Sequence, residues 1–338
     1  MARPLGIDLF AGAGGLSLGF EQAGFDVVAA VEVDPVHCAV HKFNFPDCAI
    51  IARSVVGLTA AEIRSAAGIG LRNVDVVFGG APCQGFSMIG QRILDDPRNH
   101  LVKEFVRIVK DLRASYFVFE NVKGLTVGKH RRFLEELIAL FGEAGYTVSL
   151  PWKVLDAADH GVPQHRQRLI LFGAKKGLAL PTYPAASTRP ADRSAPANLP
   201  VGPTASEALQ DLPDAEAFAA LLTSDEVQLR KPWKATGAYA SALRGLDNAA
   251  DDYSHPRLWD PALLTSSART DHTPISRRRF AETTPGTVEP ISRFYRLAPG
   301  GLSNTLRAGT DAARGAFTSP RPVHYALPRC VTVREMAR

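Results

Sequence analysis

One cysteine of the chain stands where a nucleophile could act. Cys83 lies in the stretch GGAPCQGFS (79–87), directly after an apolar run that reads as a buried strand. Open α/β sheets bind their ligands at the carboxyl ends of such strands. A lone cysteine is most often a small buried hydrophobe, but the flanking Pro82 and Gln84-Gly85 predict a turn that exposes the sulfur. An exposed thiol near helix N-termini or cations can attack an electrophilic carbon as its thiolate.

A glycine-rich loop follows the first predicted strand. The strand runs directly into Phe10-Ala11-Gly12-Ala13-Gly14-Gly15 and then into a helix. Such a turn lets the backbone approach a ligand closely and directs helix N–H groups at it. Glu32 ends the next strand, where an acid can accept hydrogen bonds from ribose hydroxyls. This order predicts an adenosine-containing cofactor, although Ser17 replaces the third glycine of the dinucleotide fingerprint, and a tight turn without a ligand is the alternative.

These residues need a scaffold, and the first half of the chain alternates short apolar runs with helical patterns. Near-continuous apolar runs are typical of strands that are covered on both faces. Their alternation with helices predicts a doubly wound, mostly parallel α/β sheet, followed by a second, smaller irregular domain. The predicted strands are 6–10, 27–33, 74–80, 116–121 and 168–173, and the predicted helices are 16–23, 101–112 and 131–145.

The texture of the sequence changes near residue 175. Residues 181–213 contain seven prolines, and 227–295 shows little periodicity and many turn formers. Within this part, Thr204-x-x-Glu207 predicts a capping box that starts one short helix. We therefore predict a catalytic and cofactor-binding domain (1–174), an irregular domain (175–295) and a return segment (296–338).

Composition excludes several classes of protein. The chain is 46% hydrophobic and 22% charged, which is ordinary globular composition. Its four scattered cysteines form no CxxC pair, so we expect neither a disulfide scaffold nor a metal site. The sequence contains no apolar run of about 18 residues, so we expect no membrane span. The N-terminus predicts a strand rather than a signal peptide. We expect a soluble protein of the reducing cytoplasm, with no membrane partner.

The net charge of +5 is concentrated at one end of the chain. Residues 296–338 carry seven Lys/Arg against two Asp/Glu, whereas the two charges balance in the rest of the sequence. Together with the Arg277-Arg278-Arg279 run, this predicts a contact with a polyanion. A solvated basic face is the alternative.

Four motifs in order make the chain similar to the DNA cytosine C5-methyltransferases. The resemblance covers residues 5–173 closely and resumes at 296–307 and 329–335. It implies a Rossmann-like, S-adenosylmethionine-dependent fold and target recognition by 175–295, with the DNA duplex between the two domains. A restriction-modification system with a cognate restriction endonuclease is also implied. The motifs are DLFAGAGGLSLGF (8–20), GGAPCQGFS (79–87), FVFENV (117–122) and QHRQR (164–168).

The resemblance implies a reaction and the residues that perform it. Cys83 adds to C6 of cytosine and makes C5 a nucleophile toward the methyl group of S-adenosylmethionine. Glu120 contacts N3 and the exocyclic amine and supplies a proton, while Arg168 steadies that glutamate and the base. Arg166 contacts DNA phosphate or helps hold the catalytic loop. Because C5 lies inside the helical stack, the target base is flipped out.

The same resemblance implies two sets of binding residues. The cofactor contacts are Phe10, Ala11, Gly12, Gly14, Gly15, Glu32, Val33, Ser54, Val55, Pro82 and Leu101. Residues 84–98 are similar to a mobile loop that closes over DNA, and the DNA contacts are Gln84, Ser87, Arg98 and Arg166. Further contacts in the recognition region are open among Lys231, Lys234, Arg269 and the 277–279 arginines.

Two features depart from the family pattern. Ser54 replaces an acid that binds the adenine amine, so we expect cofactor binding weaker by roughly 1 kcal/mol. The final family motif does not follow before Arg338, which implies a truncation, a second chain that supplies the motif, or an inactive copy. The alternatives to a DNA methyltransferase are a non-catalytic DNA-binding remnant, a tRNA cytosine methyltransferase and, more remotely, an NAD-dependent oxidoreductase.

Overall fold

The computed structural model describes residues 2–82, 99–128, 130–193, 198–247, 250–257, 259–306 and 321–338. The chain forms two compact units. The first unit contains Met1–Leu155, Arg168–Pro184 and Ala250–Arg257, and the second contains Asp156–Gln167, Ala185–Ala249 and Leu258–Arg338.

The first unit is built on a mixed, mostly parallel sheet. Its strand order is β3-β2-β1-β4-β5-β8-β6, with β7 paired to β8. Strands β3, β2, β1, β4 and β5 are parallel, whereas β8 is antiparallel to β5 and to β6. This arrangement confirms the predicted fold class. The strands are β1 (Leu5–Leu9), β2 (Asp26–Glu32), β3 (Ala49–Ala52), β4 (Val76–Gly79), β5 (Tyr116–Val122), β6 (Tyr146–Val148), β7 (Lys153–Asp156) and β8 (Gln167–Lys175).

Helices cover both faces of this sheet, and local signals fix where several of them begin. The Asp34 carboxylate accepts hydrogen bonds from the N–H groups of Val36 and His37 and caps the second helix, which starts with Pro35. A capping box between Thr59 and Glu62 starts the third. The helices are α1 (Gly15–Gln22), α2 (Pro35–Asn44), α3 (Ala60–Ala66), α4 (His100–Asp111) and α5 (His130–Glu143).

Apolar side chains from both layers form the core of the first unit. The central strands β1, β4 and β5 contribute residues that are almost wholly buried. Phe117 of β5 stacks on Phe141 of α5 with ring centroids 3.8 Å apart. On the other face of the sheet, Phe20 of α1 stacks on Phe78 of β4, also at 3.8 Å. This packing stabilises the strands whose carboxyl ends carry the predicted site.

The five predicted strands and three predicted helices are all confirmed, with ends within about two residues. The periodicity did not predict β3, β6, β7, α2 or α3. In α2 the reason is visible in its burial. Val36 and Phe43 are exposed while His41 is completely buried, so the helix shows no apolar stripe.

The second unit contains short elements joined by long irregular stretches. The capping box of Thr204 and Glu207 is confirmed at the start of the first helix in this unit. None of the helices in the described part of the chain is long and apolar enough to cross a membrane. The elements are α6 (Ala205–Leu209), β9 (Val227–Gln228), α7 (Ala238–Leu243), β10 (Leu263–Leu264), α8 (Pro274–Glu282) and α9 (Val333–Met336).

Candidate functional site

The predicted site residues of the first unit gather at one edge of its sheet. Strands β2, β1, β4 and β5 are parallel, so their carboxyl ends lie side by side. The order of the strands reverses between β1 and β4, and open sheets bind ligands at such a switch point. The loop after β1 and the segment after β4 leave the sheet on either side of this point.

The loop Phe10–Gly15, here called the glycine loop, has the backbone that its sequence predicts. Phe10, Gly12 and Gly14 have φ angles of 62°, 53° and 97°, a left-handed region that strongly favours glycine. A Cβ atom on Gly14 would lie 2.3 Å from Cε2 of Phe45, so glycine is required there by space as well. Phe10 adopts this region without being glycine, and such strain is typical of functional loops.

Glu32 ties the glycine loop to the end of β2. Its Oε2 accepts a hydrogen bond from the Gly12 N–H at 2.8 Å, and its Oε1 accepts bonds from the N–H groups of Val33 and Asp34 at 2.8 and 2.9 Å. The carboxylate therefore braces the loop. A carboxylate has about four acceptor positions, so these three bonds leave room for a ribose hydroxyl.

The remaining predicted cofactor residues differ in exposure. Val33, next to Glu32, is 69% exposed, whereas Val55 is 2% exposed and packs in the main core. The exposed Ser54 uses its hydroxyl to accept a hydrogen bond from the Val56 N–H at 3.2 Å. Leu101 packs against the core at the start of α4, and Pro82 is exposed.

Asp8 is a residue of this edge that the sequence analysis missed. It lies on β1 with no exposed surface, and its Oδ2 accepts a hydrogen bond from the Ser17 hydroxyl at 2.7 Å. Burial raises the pKa of Asp8 to about 7, against the lowering effect of its bonds to Ser17. Ser17 therefore serves as the partner of a buried carboxyl where a dinucleotide fold has glycine. An acid inside an otherwise apolar strand was the available signal.

Glu120 and Arg168, two of the predicted catalytic residues, form an ion pair. Arg168 Nε donates to Glu120 Oε1 at 2.8 Å. The register explains the pair, because Arg168 of β8 faces Val122 of β5 and is therefore a diagonal neighbour of Glu120 on the same face. The carboxylate also lies against the segment after β4, since a Cβ atom on Gly80 would lie 2.7 Å from Glu120 Oε2.

Asn121 holds the segment that leads to Cys83. Its side chain is buried, and Nδ2 donates to the Ala81 carbonyl at 2.9 Å. The sequence analysis gave this asparagine no role, although it adjoins Glu120 in the Glu-Asn-Val motif. Cys83, Gln84, Ser87 and Arg98, like the rest of 83–98, lie outside the described residues.

Arg166 belongs to the second unit, although it is only two positions from Arg168. Its backbone N–H donates to Asp156 Oδ1 at 2.9 Å, and its guanidinium donates to the Leu306 carbonyl at 3.3 Å. The adjacent His165 lies between Asp156 and Asp192, at 3.2 and 2.9 Å. Burial alone would lower the pKa of His165, but hydrogen bonds to the two carboxylates raise it.

The arginines of the basic C-terminal region make contacts within the protein. All five of its arginines in the described part of the chain have partners inside the second unit. Arg296 donates to the carbonyls of Phe280, Ala281 and Thr283, and Arg329 pairs with Glu335 at 2.7 Å. The other three, Arg321, Arg334 and Arg338, bond to Thr270, Thr265 and Asp211.

Two arginines of the upstream run also have partners. Arg277 pairs with Glu216 at 2.6 Å, and Arg279 lies 3.7 Å from the buried Glu289. Arg278 between them is exposed, and the polyanion contact of this region stays a prediction. Among the described residues no group of three or more His, Cys, Asp or Glu side chains is placed to hold a metal ion.

Comparisons with known proteins complete this picture. A family model described as C-5 cytosine-specific DNA methylase matches residues 6–338. The type II methyltransferase M.XorII of Xanthomonas oryzae pv. oryzae is 58% identical over 338 residues, which cover 100% of this chain and 76% of that protein. The type II methyltransferase M.AgeI of Thalassovita gelatinovora is 34% identical over 89% of this chain and 68% of its own length.

A solved structure agrees with the sequence comparisons. It is that of a prophage-encoded E. coli protein described as a DNA modification methyltransferase. The two chains superpose with a TM-score of 0.72 at 28% identity, over 99% of this chain and 87% of the other. The similarity therefore extends over both units and is not confined to the sheet.

Proposed function

We propose that this chain, which belongs to the C-5 cytosine-specific DNA methylase family, is the methyltransferase of a type II restriction-modification system. It transfers a methyl group from S-adenosylmethionine to C5 of a cytosine in a specific double-stranded DNA sequence. The observation that carries the proposal is the Glu120–Arg168 pair, placed against Gly80 three residues before Cys83. The relatives named above are type II methyltransferases, which supports a cognate restriction endonuclease of the same specificity.

Cys83 is the proposed nucleophile. Its thiolate adds to C6 of the cytosine, and the electron pair of the C5–C6 double bond becomes available at C5. S-adenosylmethionine, when bound, would supply the methyl group that C5 accepts, the sulfur–methyl bond breaking with its electron pair left on sulfur in the product S-adenosylhomocysteine. The C5 proton is then lost to a base, the double bond forms again, and the Cys83 thiolate leaves. The carbonyl of Ala81, held by Asn121, fixes the backbone from which Cys83 is presented.

Glu120 and Arg168 act on the opposite side of the base ring. Thiolate addition raises the electron density at N3, where Glu120 in its carboxylic acid form supplies a proton, and the resulting carboxylate takes the proton back when the Cys83 thiolate leaves. The ion pair with Arg168 gives the carboxyl one orientation and keeps its second oxygen, beside Gly80, directed toward the reacting base. A positioned acid of this kind contributes about 10²- to 10⁴-fold to the rate.

The residues at the sheet edge fit S-adenosylmethionine. A Cβ atom on Gly12 would meet nothing within 4 Å, which leaves room for the methionine part, while Gly14 packs on Phe45 and holds the loop in place. Glu32 can accept a ribose hydroxyl beside the exposed Val33. The side chains of Glu32 and Asp34 are acidic, which suits a sulfonium better than a pyrophosphate. Phe10, Ala11, Gly15, Ser54, Val55, Pro82 and Leu101 complete the proposed pocket.

DNA binding is proposed for both units. The target base is flipped out of the duplex, with Gln84, Ser87 and Arg98 as contacts from the loop after Cys83. Arg166, anchored through Asp156, contacts phosphate or supports that loop. The irregular region 175–295 reads the target sequence, and 1–174 carries cofactor and chemistry. Since the relatives named above are bacterial, DNA and enzyme would meet in the cytoplasm.

A covalent trap tests the proposed chemistry. In DNA synthesised with 5-fluorocytosine, fluorine cannot leave C5 as a proton does, so the bond between Cys83 and C6 persists after methylation. With cofactor present, we expect a denaturation-resistant complex for the native chain, none for Cys83→Ser and far less for Glu120→Gln. Glu143→Gln, an exposed glutamate at the end of α5, is the matched control and should trap normally. A complex that survives in Cys83→Ser would overturn the mechanism.

A further inference from the structure

A short segment from the predicted recognition region packs on the cofactor-binding unit. Ala250–Arg257, here called the strap, belongs to the first unit although the sequence on both sides belongs to the second. The Tyr253 N–H donates to the Gln22 carbonyl at 2.9 Å, and the His255 N–H donates to Glu21 Oε1 at 2.9 Å. The strap therefore lies along the C-terminal end of α1, the helix that follows the glycine loop.

Arg257, the last residue of the strap, contacts both α1 and the C-terminal end of α2. Its Nη1 lies 2.8 Å from Oε1 of Glu21, whose side chain is almost completely buried on α1. Its Nε donates to the Asn44 carbonyl at 3.0 Å, at the end of α2. Its guanidinium carbon lies 4.8 Å from the ring centroid of Phe45, within cation–π range.

Phe45 carries this contact to the glycine loop. The ring is 6% exposed and occupies the space beside Gly14 where a Cβ atom would be. It packs against His41, with centroids 4.7 Å apart, and His41 Nδ1 lies 3.4 Å from the Gly12 carbonyl. Gly12 and Gly14 therefore lie against the rings of His41 in α2 and of Phe45 directly after it, and Arg257 contacts the Phe45 ring from the strap.

We infer that Arg257 is a positioning residue for the cofactor: through Phe45 and Glu21 it holds the surface on which Gly12 and Gly14 rest. The inference rests on the proposed binding of S-adenosylmethionine at this loop. Glycine has more conformational freedom than any other residue, so a loop already held in one conformation by the surface beneath it loses less entropy when the cofactor binds, and this support contributes to affinity. Among the described residues, Arg257 itself makes no hydrogen bond or ion pair with the loop.

Cofactor affinity and stability, measured separately, test the inference. We expect Arg257→Ala to weaken S-adenosylmethionine binding about tenfold by calorimetry at 15 °C, well below its unfolding midpoint. Arg257→Lys keeps the ion pair with Glu21 but loses the planar stacking on Phe45. Its affinity for S-adenosylmethionine should therefore lie between that of the native chain and that of Arg257→Ala. The matched control is Arg64→Ala, which removes another arginine of this unit that donates to three backbone carbonyls, those of Gly70, Arg72 and Leu112. It should lower the unfolding midpoint and leave the affinity unchanged.

A double-mutant cycle with Phe45→Leu identifies the route. If Arg257 acts through this ring, the double variant Arg257→Ala/Phe45→Leu loses less affinity than the sum of the two single losses. Additive losses of affinity, or normal affinity in Arg257→Ala, would overturn the inference. The proposed function would stand in that case, because the native chain would still bind S-adenosylmethionine. Absence of cofactor binding to the native chain would overturn the inference and the proposed function together.

Discussion

Asp8 is the residue in which burial changes the chemistry most. A carboxyl with no exposed surface and one hydrogen bond, from Ser17, is costly to ionise, and its pKa is raised to about 7. The folded state thus binds this proton more tightly than the unfolded chain does. The contribution of Asp8 to stability therefore falls as the pH rises from about 4 to 7.

Asp8→Asn should remove this pH dependence. The amide oxygen can still accept the Ser17 hydroxyl, and no charge has to be buried. We expect the variant to gain stability relative to the native chain between pH 5 and pH 8, by at most roughly 4 kcal/mol. Urea unfolding at several pH values measures the difference, and parallel stability curves would contradict the account.

The control for Asp8 is Asp34, an aspartate whose pKa is shifted in the opposite direction. Asp34 caps α2, and hydrogen bonds from the N–H groups of His37 and Val36 lower its pKa against a small effect of burial. Its stabilising contribution is present above the unfolded pKa and is lost as the pH falls. Asp34→Asn should therefore lower stability relative to the native chain at neutral pH, where Asp8→Asn raises it, and this loss should shrink as the pH falls through the acidic range.

Gly80 leaves the space that the Glu120 carboxylate occupies. A methyl group there would lie 2.7 Å from Glu120 Oε2, and the ion pair with Arg168 limits how far the carboxylate can move. We expect Gly80→Ala to fold normally but to methylate DNA about 10- to 100-fold more slowly, because the acid is displaced. Gly142→Ala, where α5 has open space, is the control. Unchanged turnover in Gly80→Ala would contradict the proposed role of Glu120.

At the scale of elements, the strands that carry the site were predictable and the supports beneath them were not. Continuous apolar runs marked β1, β2, β4, β5 and β8, and the positions of glycines marked the loop after β1. Helix α2 was not predicted because one of its two buried residues is the polar His41, while the apolar Val36 and Phe43 are exposed. The contact of Arg257 with Phe45 joins residues 212 positions apart, and no local pattern encodes such a pairing.

Helix α8 offers a test of how the second unit uses its arginines. The buried Arg296 donates to the carbonyls of Phe280, Ala281 and Thr283, which have no further turn of helix to bond. Arg296→Ala should lower the free energy of unfolding by about 2–4 kcal/mol, and Arg296→Lys by most of that, since an ammonium cannot reach the same set. Arg278→Ala, an exposed arginine on the same helix, should have little effect in thermal unfolding. Full stability of Arg296→Lys would contradict this capping role.

For the whole molecule, the count of positive charges overstates how many arginines are exposed. Arg329, one of the charges counted, is 2% exposed and its charge is matched by Glu335, while the polyanion contact itself stays a prediction. Sequence counts cannot distinguish a buried ion pair from a surface patch, because the partner may be distant along the chain. The family and the fold class were predictable from the sequence because their motifs have fixed spacing, and the same motifs predicted that Arg168 lies beside Glu120, whose catalytic role stays a proposal.

Methyl transfer is the measurement that tests the central claim most directly. The full chain would be mixed with tritiated S-adenosylmethionine and unmethylated DNA, and the DNA digested to nucleosides. We predict label in 5-methylcytosine for the native chain and none for Cys83→Ala. Label in another nucleoside, label that persists without Cys83, or no label despite measured binding of cofactor and DNA would contradict the proposed function.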